Sequence, residues 1–349
     1  MLLLAGAALG QIFSCDDSTT WSSSFDGRQN PAGAGAGYVE WWFFTAYSAS
    51  ADTGYAMTYD PARKSIDFML YEHAADPALA RVVNLGKSFD AVSVGPANAT
   101  QTFDAATGVT VVDESTYAIR GAMPEHGLEW SLKYTQAAAA AREHVDLLGV
   151  IALDWISYMP SAVVSGYVAV NGTRYDFDAD GVGYHDHNSG KWPELGDNAN
   201  GIISFDYKWG SINGGAGGVG GVYGAYLLPG PLKSVSVDCV FVHAPGGERV
   251  EFGTLCGHHV TFTPLSFVTH ADGRKEATAV SIAATSPKYE LRWTHEMRSS
   301  AANPGGAGLG LVVYEQLSVH NLTLTEKATG RTAAAASGVF GFTEWSGPA

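Results

Sequence analysis

Apolar and polar residues alternate with a period of two along most of this chain, which is the spacing of a β-strand rather than of a helix. The alternating segments are short, rich in β-branched and aromatic residues, and separated by turn signals such as Asn171-Gly172 and Asp272-Gly273. Only residues 137–142 have the character of a short helix. We therefore predict an all-β protein built from barrels or sandwiches.

The two halves of the chain resemble each other loosely. Each half begins with an acidic, tryptophan-rich strand that follows a glycine-rich approach, which suggests two β units joined near residues 165–185. We predict an N-terminal β domain over residues 16–180 and a C-terminal β domain over residues 181–349. A chain of 349 residues is long enough for two domains with cores of their own.

The charge and the aromatic content limit the partners of the protein. Asp and Glu number 35 against 20 Lys and Arg, and the net charge of −15 disfavours binding to nucleic acid or to anionic membranes. Nine Trp, 16 Tyr and 15 Phe supply ring surface for a pocket that holds a small hydrophobic substrate, although an aromatic-rich β core is the alternative use.

The first residues predict entry into the secretory pathway. Residues 1–10 are apolar and polar residues begin at Ser14, so we interpret residues 1–15 as a signal peptide. This stretch is shorter than the roughly 20 residues of a membrane span, and no other segment is apolar enough to anchor the protein. Three sequons support a secretory or secreted location; their glycosylation sites are Asn98, Asn171 and Asn321.

The chain has three cysteines, and their use is open. Cys239 and Cys256 flank a plausible hairpin, and a disulfide between them would contribute about 3 kcal/mol by the loop-closure argument. We predict this bond, with two free thiols as the alternative. Cys15 either leaves with the signal peptide or remains as a spare thiol. No pair has the close spacing of a zinc site.

The run Gly181–Gly190 is too polar for a core and too aromatic for an ordinary loop. An extended backbone puts His185 and His187 on one face and Asp186 on the other. The two imidazoles could bind a metal only with a further ligand such as Glu40, and a hydrogen-bonded knot that rigidifies the strand is another reading. We predict no metal and a site that orients or protonates a ligand; its catalytic residues are His185, Asp186, His187 and Asn188, and Tyr184 binds substrate.

A second candidate lies in the strand Tyr38–Phe44. Alternation places Glu40, Trp42 and Phe44 on one face, and burial among rings would raise the pKa of the carboxyl and make it a possible proton donor. A salt bridge at a barrel mouth is the alternative. The chain ends on a similar pair, Glu344-Trp345. We predict Glu40 and Glu344 as catalytic residues; the predicted substrate-binding side chains are Trp42, Phe44, Tyr184, Trp192, Trp209, Tyr223 and Trp345.

These segments together resemble a lipocalin-like superfamily. The strand Glu40–Phe44, the run Gly183–Asn188 and the pair Glu344-Trp345 match it in order and spacing. The superfamily includes carotenoid hydratase (hydroxyneurosporene synthase), kievitone hydratase and fungal Diels–Alderases. Its members commonly have a tryptophan after the asparagine of the central run, whereas this chain has Ser189 there and Trp192 further on. The resemblance implies two lipocalin-like β domains, a substrate pocket in or between them, and no organic cofactor.

The resemblance implies two chemistries. Hydration of an isolated alkene needs a strong acid, for which Glu40, Asp186 and Glu344 are candidates, and aromatic faces that stabilise a carbocation. A Diels–Alder cyclisation needs neither proton nor nucleophile, because holding a polyene in its reactive conformation can lower the barrier by up to about 7–11 kcal/mol. We expect an intramolecular cyclase, a Diels–Alderase that acts on a hydrophobic polyene or polyketide-type intermediate in fungal secondary metabolism. A secreted hydratase of a prenyl or isoprenoid double bond and a non-enzymatic carrier of a hydrophobic ligand are the alternatives.

Overall fold

Two curled antiparallel β-sheets follow one another along the chain. The computed structural model describes residues 26–27, 38–76, 78–95, 98–147, 151–191, 206–214, 218–227, 236–303 and 311–348. Strands account for nearly all regular structure in these ranges, which confirms the predicted all-β fold. Across the same ranges, no helix is long and apolar enough to cross a membrane.

The strands alternate with short turns, and two single-turn 3₁₀ helices lie at Pro124–His126 and Thr254–Cys256. In the N-terminal half the strands are β1 Tyr38–Ser48, β2 Thr53–Asp60, β3 Ser65–Glu72, β4 Arg81–Ser88, β5 Ser93–Val94, β6 Gln101–Thr102, β7 Gly108–Asp113, β8 Thr116–Met123, β9 Leu128–Gln136, β10 Ala141–Leu147, β11 Ile151–Val170, β12 Thr173–Asp176 and β13 Val182–Lys191. In the C-terminal half they are β14 Asp206–Ile212, β15 Gly220–Leu227, β16 Ser236–His243, β17 Arg249–Gly253, β18 His259–Thr269, β19 Lys275–Thr285, β20 Tyr289–Asn303, β21 Leu311–Glu326 and β22 Thr332–Pro348.

The N-terminal sheet has 13 strands in the order β4-β3-β2-β1-β13-β11-β9-β8-β7-β6-β5, with β10 and β12 each paired to β11. β13 lies between β1 and β11 and is antiparallel to both, with Trp42 and Ile156 opposite His187. The predicted domain boundary after residue 180 therefore precedes the strand that joins the two parts of this sheet. β13 pairs with β1 and β11 and therefore belongs to the N-terminal sheet, whereas β14, the next strand, belongs to the C-terminal sheet. The change from one sheet to the other thus falls after Lys191.

The C-terminal sheet has nine strands in the order β17-β16-β15-β14-β22-β21-β20-β19-β18. The two ends of the glycine-rich stretch 210–221 are strand, because residues 210–212 belong to β14 and residues 220–221 to its partner β15. Gly210 is required there, because a Cβ atom would lie 2.5 Å from a ring carbon of Tyr223. The glycine thus lets a large ring pack directly against the neighbouring strand.

The short helix predicted over residues 137–142 is wrong. Ala141 and Arg142 begin β10, which pairs with β11, and Arg142 Nε donates a hydrogen bond of 2.9 Å to Asp154 across that pair. An alanine-rich stretch of this length cannot offset the cost of starting a helix, so pairing with a neighbouring strand decides its conformation.

Apolar side chains form three clusters. One fills the N-terminal barrel and a second fills the C-terminal barrel. A third lies between the two sheets, where the Tyr47 ring stacks on Phe340 at 4.1 Å and the Tyr71 hydroxyl donates to the Glu315 carbonyl at 3.0 Å. We call this region the seam; its buried side chains include Phe43, Tyr47, Tyr71, Trp155, Tyr184, Trp209, Leu317 and Phe342.

The predicted disulfide between Cys239 and Cys256 does not form. Cys239 is buried in the seam and is not in a disulfide, whereas Cys256 is disulfide-bonded. Cys239 lies on β16 with Gly253 as its cross-strand neighbour, and Cys256 follows in the 3₁₀ turn that ends this hairpin. The remaining cysteine, Cys15, lies outside the described residues.

Candidate active site

The central polar run forms β13, and the alternation of the strand sends its side chains to two separate environments. His185 and His187 point into the N-terminal barrel. Tyr184, Asp186 and Asn188 point the other way, and the Tyr184 ring belongs to the seam. One strand therefore contributes to a site inside the barrel and to a second site between the sheets.

Inside the barrel, the two imidazoles lie against aromatic rings of β1. The His187 ring stacks on Trp42 with centroids 4.1 Å apart, and the His185 ring stacks on Phe44 at 4.0 Å. Glu40 Oε1 lies 3.1 Å from His187 Nε2, and both side chains are buried. The predicted residues Glu40, Trp42 and Phe44 therefore line the barrel interior and not the seam.

A carboxylate that the sequence analysis missed completes this group. Asp26 is fully buried, with Oδ2 2.8 Å from His185 Nε2 and Oδ1 3.7 Å from His187 Nδ1. Its backbone carbonyl accepts a hydrogen bond of 2.8 Å from the Trp42 indole. We call Asp26, Glu40, His185 and His187 the barrel cluster. Asp26 precedes the first strand in a Ser- and Gly-containing segment with no pattern, so no sequence signal identifies it.

The barrel cluster is organised by hydrogen bonds between its own members. His185 Nδ1 lies 3.0 Å from the Phe43 carbonyl and Nε2 faces Asp26, so both ring nitrogens are occupied. Within the described ranges, no group of three or more His, Cys, Asp or Glu residues is arranged to hold a metal ion. The barrel cluster therefore fits the hydrogen-bonded knot better than a metal site.

On the seam side, three donors converge on Asp186. Its Oδ2 accepts hydrogen bonds from the Tyr184 hydroxyl at 2.7 Å and from the Trp155 indole at 2.8 Å, and its Oδ1 accepts one from Asn188 at 2.9 Å. Burial raises the pKa of Asp186 to about 6, and the hydrogen bonds from Tyr184 and Trp155 limit the rise. Asp186 is thus a buried carboxylate that is ionised at neutral pH.

The opposite side of the seam carries a pair of glutamates. Glu315 and Glu344 are cross-strand neighbours on β21 and β22, and Asn303 Nδ2 donates to Glu315 Oε1 at 2.9 Å. Burial, reinforced by the charge of Asp186, raises the pKa of Glu344 to about 7, although hydrogen bonds from Tyr207 and Glu315 oppose the rise. Burial and the charge of Glu344 raise the pKa of Glu315 well above its usual range. Two carboxyl groups thus remain protonated close to neutral pH.

Aromatic rings pack beside these acids in the seam. The Trp209 ring meets Phe43 edge-on at 5.5 Å and lies 4.9 Å from the Tyr184 ring. Trp209 pairs directly with Glu344 across β14 and β22, so its indole is adjacent to the glutamate pair. Buried Trp and Tyr faces beside ionisable groups can stabilise a cationic centre in a bound molecule.

Several predicted substrate-binding residues lie elsewhere. Tyr223 is buried in the C-terminal barrel, where its hydroxyl lies 2.8 Å from His295 Nε2. Trp345 packs on the barrel side of β22, because it is adjacent to Glu344 and neighbouring strand positions face opposite ways. Lys208 Nζ lies 4.6 Å from the centre of the Trp345 ring. Trp192 lies outside the described residues. Among the predicted aromatic residues that the structure describes, Tyr184 and Trp209 belong to the seam.

Two seam residues were missed although the sequence holds a signal for each. Trp155 follows Asp154, and the same acid–tryptophan pair occurs at Glu40-Trp41 and Glu344-Trp345. Glu315 interrupts an otherwise apolar strand segment, which is an expensive position for a carboxylate without a functional or structural partner.

The three sequons differ in exposure. Asn171 is exposed in the turn between β11 and β12, with φ of 49°. Asn321 is exposed, but its Oδ1 accepts a hydrogen bond of 2.9 Å from Ser337. Asn98 is half-buried, and its Oδ1 accepts one of 3.0 Å from the Thr100 amide. Glycosylation remains a prediction, and Asn171 is the most accessible of the three.

No family model and no curated protein matches the sequence. Three solved structures match its fold with moderate TM-scores. An AttH-like protein from Nitrosomonas europaea gives 0.58 at 15% identity, covering 95% of this chain and 98% of that one. Kievitone hydratase from Nectria haematococca gives 0.57 at 12% identity, with coverage of 95% and 97%. CghA in complex with Sch210972 gives 0.57 at 10% identity, with coverage of 97% and 98%.

At these identities the likeness shows the fold. Two lipocalin-like β domains, the fold that the sequence motifs indicated, are therefore confirmed as the architecture of the chain.

Proposed function

We propose that the protein is a cofactor-independent hydro-lyase that adds water to a carbon–carbon double bond of an apolar substrate held at the seam, or removes it. One observation carries the proposal: Glu315 and Glu344 are cross-strand neighbours beside Trp209 on one sheet, and the hydrogen-bonded carboxyl group of Asp186 lies on the other side of the same aromatic seam. Alkene hydration needs a proton donor, a surface that stabilises a cation, and a base for the attacking water. The seam offers a candidate for each.

Glu344 is the proton donor in this mechanism. Its pKa of about 7 keeps the carboxyl protonated at mildly acidic pH. During hydration the Glu344 O–H bond breaks, the proton bonds to one alkene carbon, and the other alkene carbon becomes cationic. The carboxylate left behind accepts hydrogen bonds from Tyr207 and Glu315, both of which stabilise its anionic form.

Asp186 is the base. With Tyr184, Trp155 and Asn188 as fixed donors, its carboxylate is held at a defined position opposite Glu344. The water oxygen bonds to the cationic carbon while Asp186 takes one water proton. The net change is the addition of one water, and solvent exchange returns Asp186 and Glu344 to their starting states. Two acids with different protonation at one pH supply both roles.

Three residues predicted to be catalytic have no substrate contact in this mechanism. Glu40, His185 and His187 lie behind β13 in the barrel interior, on the face opposite to Asp186. Asn188 acts as a donor to Asp186. The sequence favoured a cyclase over a hydratase, and we place the hydratase first because of the protonated carboxyl pair.

An intramolecular cyclase is the second candidate. The Trp209 indole nitrogen is buried, approaches the Tyr184 hydroxyl, and forms no hydrogen bond of normal geometry. Such a donor could bind the carbonyl that activates a dienophile. CghA, which shares the fold, was solved with the ligand Sch210972.

Isotope incorporation tests these alternatives. The protein is incubated with a panel of prenylated phenols and linear polyenes in D₂¹⁸O, and the masses of the products are measured by mass spectrometry. A hydratase introduces one carbon-bound deuterium and one ¹⁸O, whereas a cyclase yields an isomer without either label. Unchanged recovery of a stoichiometrically bound ligand would identify a carrier and contradict the proposal.

The glutamates provide a matched pair of variants for this assay. E344Q removes the proposed acid from the seam, whereas E40Q removes a buried glutamate from the barrel. Label incorporation by E40Q but not by E344Q supports the assignment, and equal incorporation by both contradicts it.

A further inference from the structure

The barrel cluster lies directly behind Asp186 and has no role in the chemistry proposed for the seam. His185 and His187 are the chain neighbours of Asp186 on either side, with their rings on the opposite face of β13. Both imidazoles are fully buried, and each faces a buried carboxylate: Asp26 for His185 and Glu40 for His187. Four ionisable groups inside a barrel are costly to desolvate, so their retention calls for a reason.

The hydrogen bonds of His185 define where its protons lie. The Phe43 carbonyl can only accept, so Nδ1 carries a proton. Nε2 lies 2.8 Å from Asp26 Oδ2, which is the geometry of a hydrogen bond between an imidazolium ion and a carboxylate. His187 lies against two carboxylates in a different way, because Nε2 is 3.1 Å from Glu40 Oε1, whereas Nδ1 is 3.7 Å from Asp26 Oδ1 and makes no hydrogen bond to it.

We propose that Asp26 and Glu40 hold His185 and His187 as imidazolium ions, and that these cations keep the neighbouring Asp186 carboxylate ionised. Asp26 and Glu40 are then positioning residues for Asp186, the proposed catalytic base, and they act through β13, the strand that separates the two sites. The catalytic consequence rests on the proposed function, whereas the ionisation of Asp186 can be measured independently of any activity.

Burial is what opposes the ionisation of Asp186. On the facing C-terminal sheet, burial and the charge of Asp186 raise the pKa of Glu344 and of Glu315, so these carboxyl groups hold their protons while Asp186 is ionised. Tyr184 on its own strand and Trp155 on β11 favour the anion only through hydrogen bonds. The cations behind β13 supply attraction, and the charges of both histidines lower the pKa of Asp186.

The groups that face Asp26 are also consistent with an ion pair. Tyr117 and Tyr158 approach from β8 and β11, and burial, followed by the charge of Asp26, raises the pKa of both phenols, so they remain neutral. The Tyr117 ring lies 5.3 Å from the His185 ring. His185 and His187 are therefore the nearby groups that can neutralise Asp26.

The C-terminal barrel provides the contrasting case. His295 is equally buried, but its neighbours are the Tyr223 hydroxyl at 2.8 Å and the His320 ring at 5.3 Å. Burial lowers the pKa of His295 to about 3, so the ring is neutral. A buried imidazole without a carboxylate therefore stays uncharged in this fold, which supports the assignment of the charge in the barrel cluster to its carboxylates.

The experiment measures the titration of Asp186 itself. The full chain is labelled with ¹³C at aspartate carboxyls, the Asp186 signal is assigned with D186N, and its midpoint is followed by NMR. The D26N amide can donate to Nε2 of a neutral His185, so this variant keeps the hydrogen bond and removes the charges. We expect the Asp186 midpoint to rise by about 0.5–1 pH unit in D26N and in E40Q. Each variant removes a carboxylate and with it the imidazolium charge that this carboxylate stabilises beside Asp186.

The matched control is D180N. Asp180 accepts hydrogen bonds from Ser48 and Ser50 outside the barrel cluster, so its removal should leave the Asp186 midpoint in place. An unchanged or lowered midpoint in both D26N and E40Q would overturn the inference. If D26N does not fold, E40Q decides the question alone.

The pH dependence of the hydration rate separates this role from a purely structural one. In D26N and E40Q the midpoint of the acid limb should shift to higher pH by the same amount as the NMR midpoint of Asp186. At pH values above that limb, the rate should stay within about two-fold of wild type. A uniform loss of rate at every pH would instead indicate a structural role and contradict the inference. If D186N retains full activity, the proposed function fails, and the NMR midpoints still report on the inference.

Discussion

Two glutamates followed by tryptophan, Glu40-Trp41 and Glu344-Trp345, occupy central strands of the two sheets and meet opposite surroundings. Glu40 points into its barrel and lies 3.1 Å from an imidazole of His187. Glu344 points out of its barrel to the seam, beside the carboxyl of Glu315. A cationic partner stabilises the anion, whereas a second acid stabilises the protonated form. The same dipeptide thus yields a structural ion pair in one sheet and an acid in the other.

The largest expected difference concerns activity. E344Q and D186N should each lower the rate of hydration about 10²–10⁴-fold, the usual contribution of a general acid or base. E40Q should retain activity within about ten-fold at pH 7.5, because Glu40 does not face the seam. Steady-state rates with an identified substrate measure both effects, and a larger loss in E40Q than in E344Q would reverse the comparison.

Stability should change in opposite directions in the two glutamate variants. E40Q should lower the free energy of unfolding by about 1–3 kcal/mol, because the imidazole of His187 loses its charged partner in a buried site. E344Q should raise it by up to about 3 kcal/mol at pH 8, because the pKa of Glu344 is about 7 in the folded protein against an ordinary value of 4.5 and each unit corresponds to about 1.4 kcal/mol. Denaturant unfolding of both variants at pH 8 checks the signs.

The stabilisation by E344Q should depend on pH. Unfolded Glu344 ionises near its ordinary value of 4.5, whereas the folded protein retains the proton until about pH 7. The wild type therefore loses stability as the pH rises through this window, and E344Q escapes that loss. We expect the two proteins to be equally stable at pH 4 and to separate by pH 8; a constant difference would contradict the raised pKa.

A smaller effect should distinguish the tryptophans. W209F should lower the rate about ten-fold, since the indole lies beside Tyr184 in the seam and offers its face to a developing cation. The melting temperature provides the control, because an equal rate loss accompanied by unfolding would point to packing alone.

The smallest effect should come from W345F. Trp345 lies on the barrel side of β22, where Lys208 sits over its ring. We expect the rate to stay within about two-fold, because adjacent residues of a strand face opposite ways. A loss comparable with that of W209F would place the substrate on the wrong side of β22 for the proposed mechanism.

Much of the fold could be predicted because strand alternation is a local property. It separated His185 and His187 from Asp186, and it grouped Glu40 with Trp42 and Phe44. The motifs located β1, β13 and β22, the strands that bring the site together.

The remaining features depend on contacts between distant parts of the chain. Asp26 reaches His185 from 159 residues away, and nothing in the residues around Asp26 indicates that contact. Which face of β22 meets the first sheet decides that Glu344 and not Trp345 belongs to the seam, and only the packing of the sheets determines it. Cys239 and Cys256 were close enough in sequence to suggest a bond that the hairpin does not make.

The position of β13 has a consequence for how this protein can change. A slip of one residue in its pairing would turn His185 and His187 towards the seam and bury Asp186 in the barrel, so single insertions or deletions in this strand should abolish both sites together. Substitutions at positions 184, 186 and 188 act on the seam instead, because these side chains point away from the barrel interior. New chemistry could therefore be installed on one side of a single strand while the fold is preserved on the other.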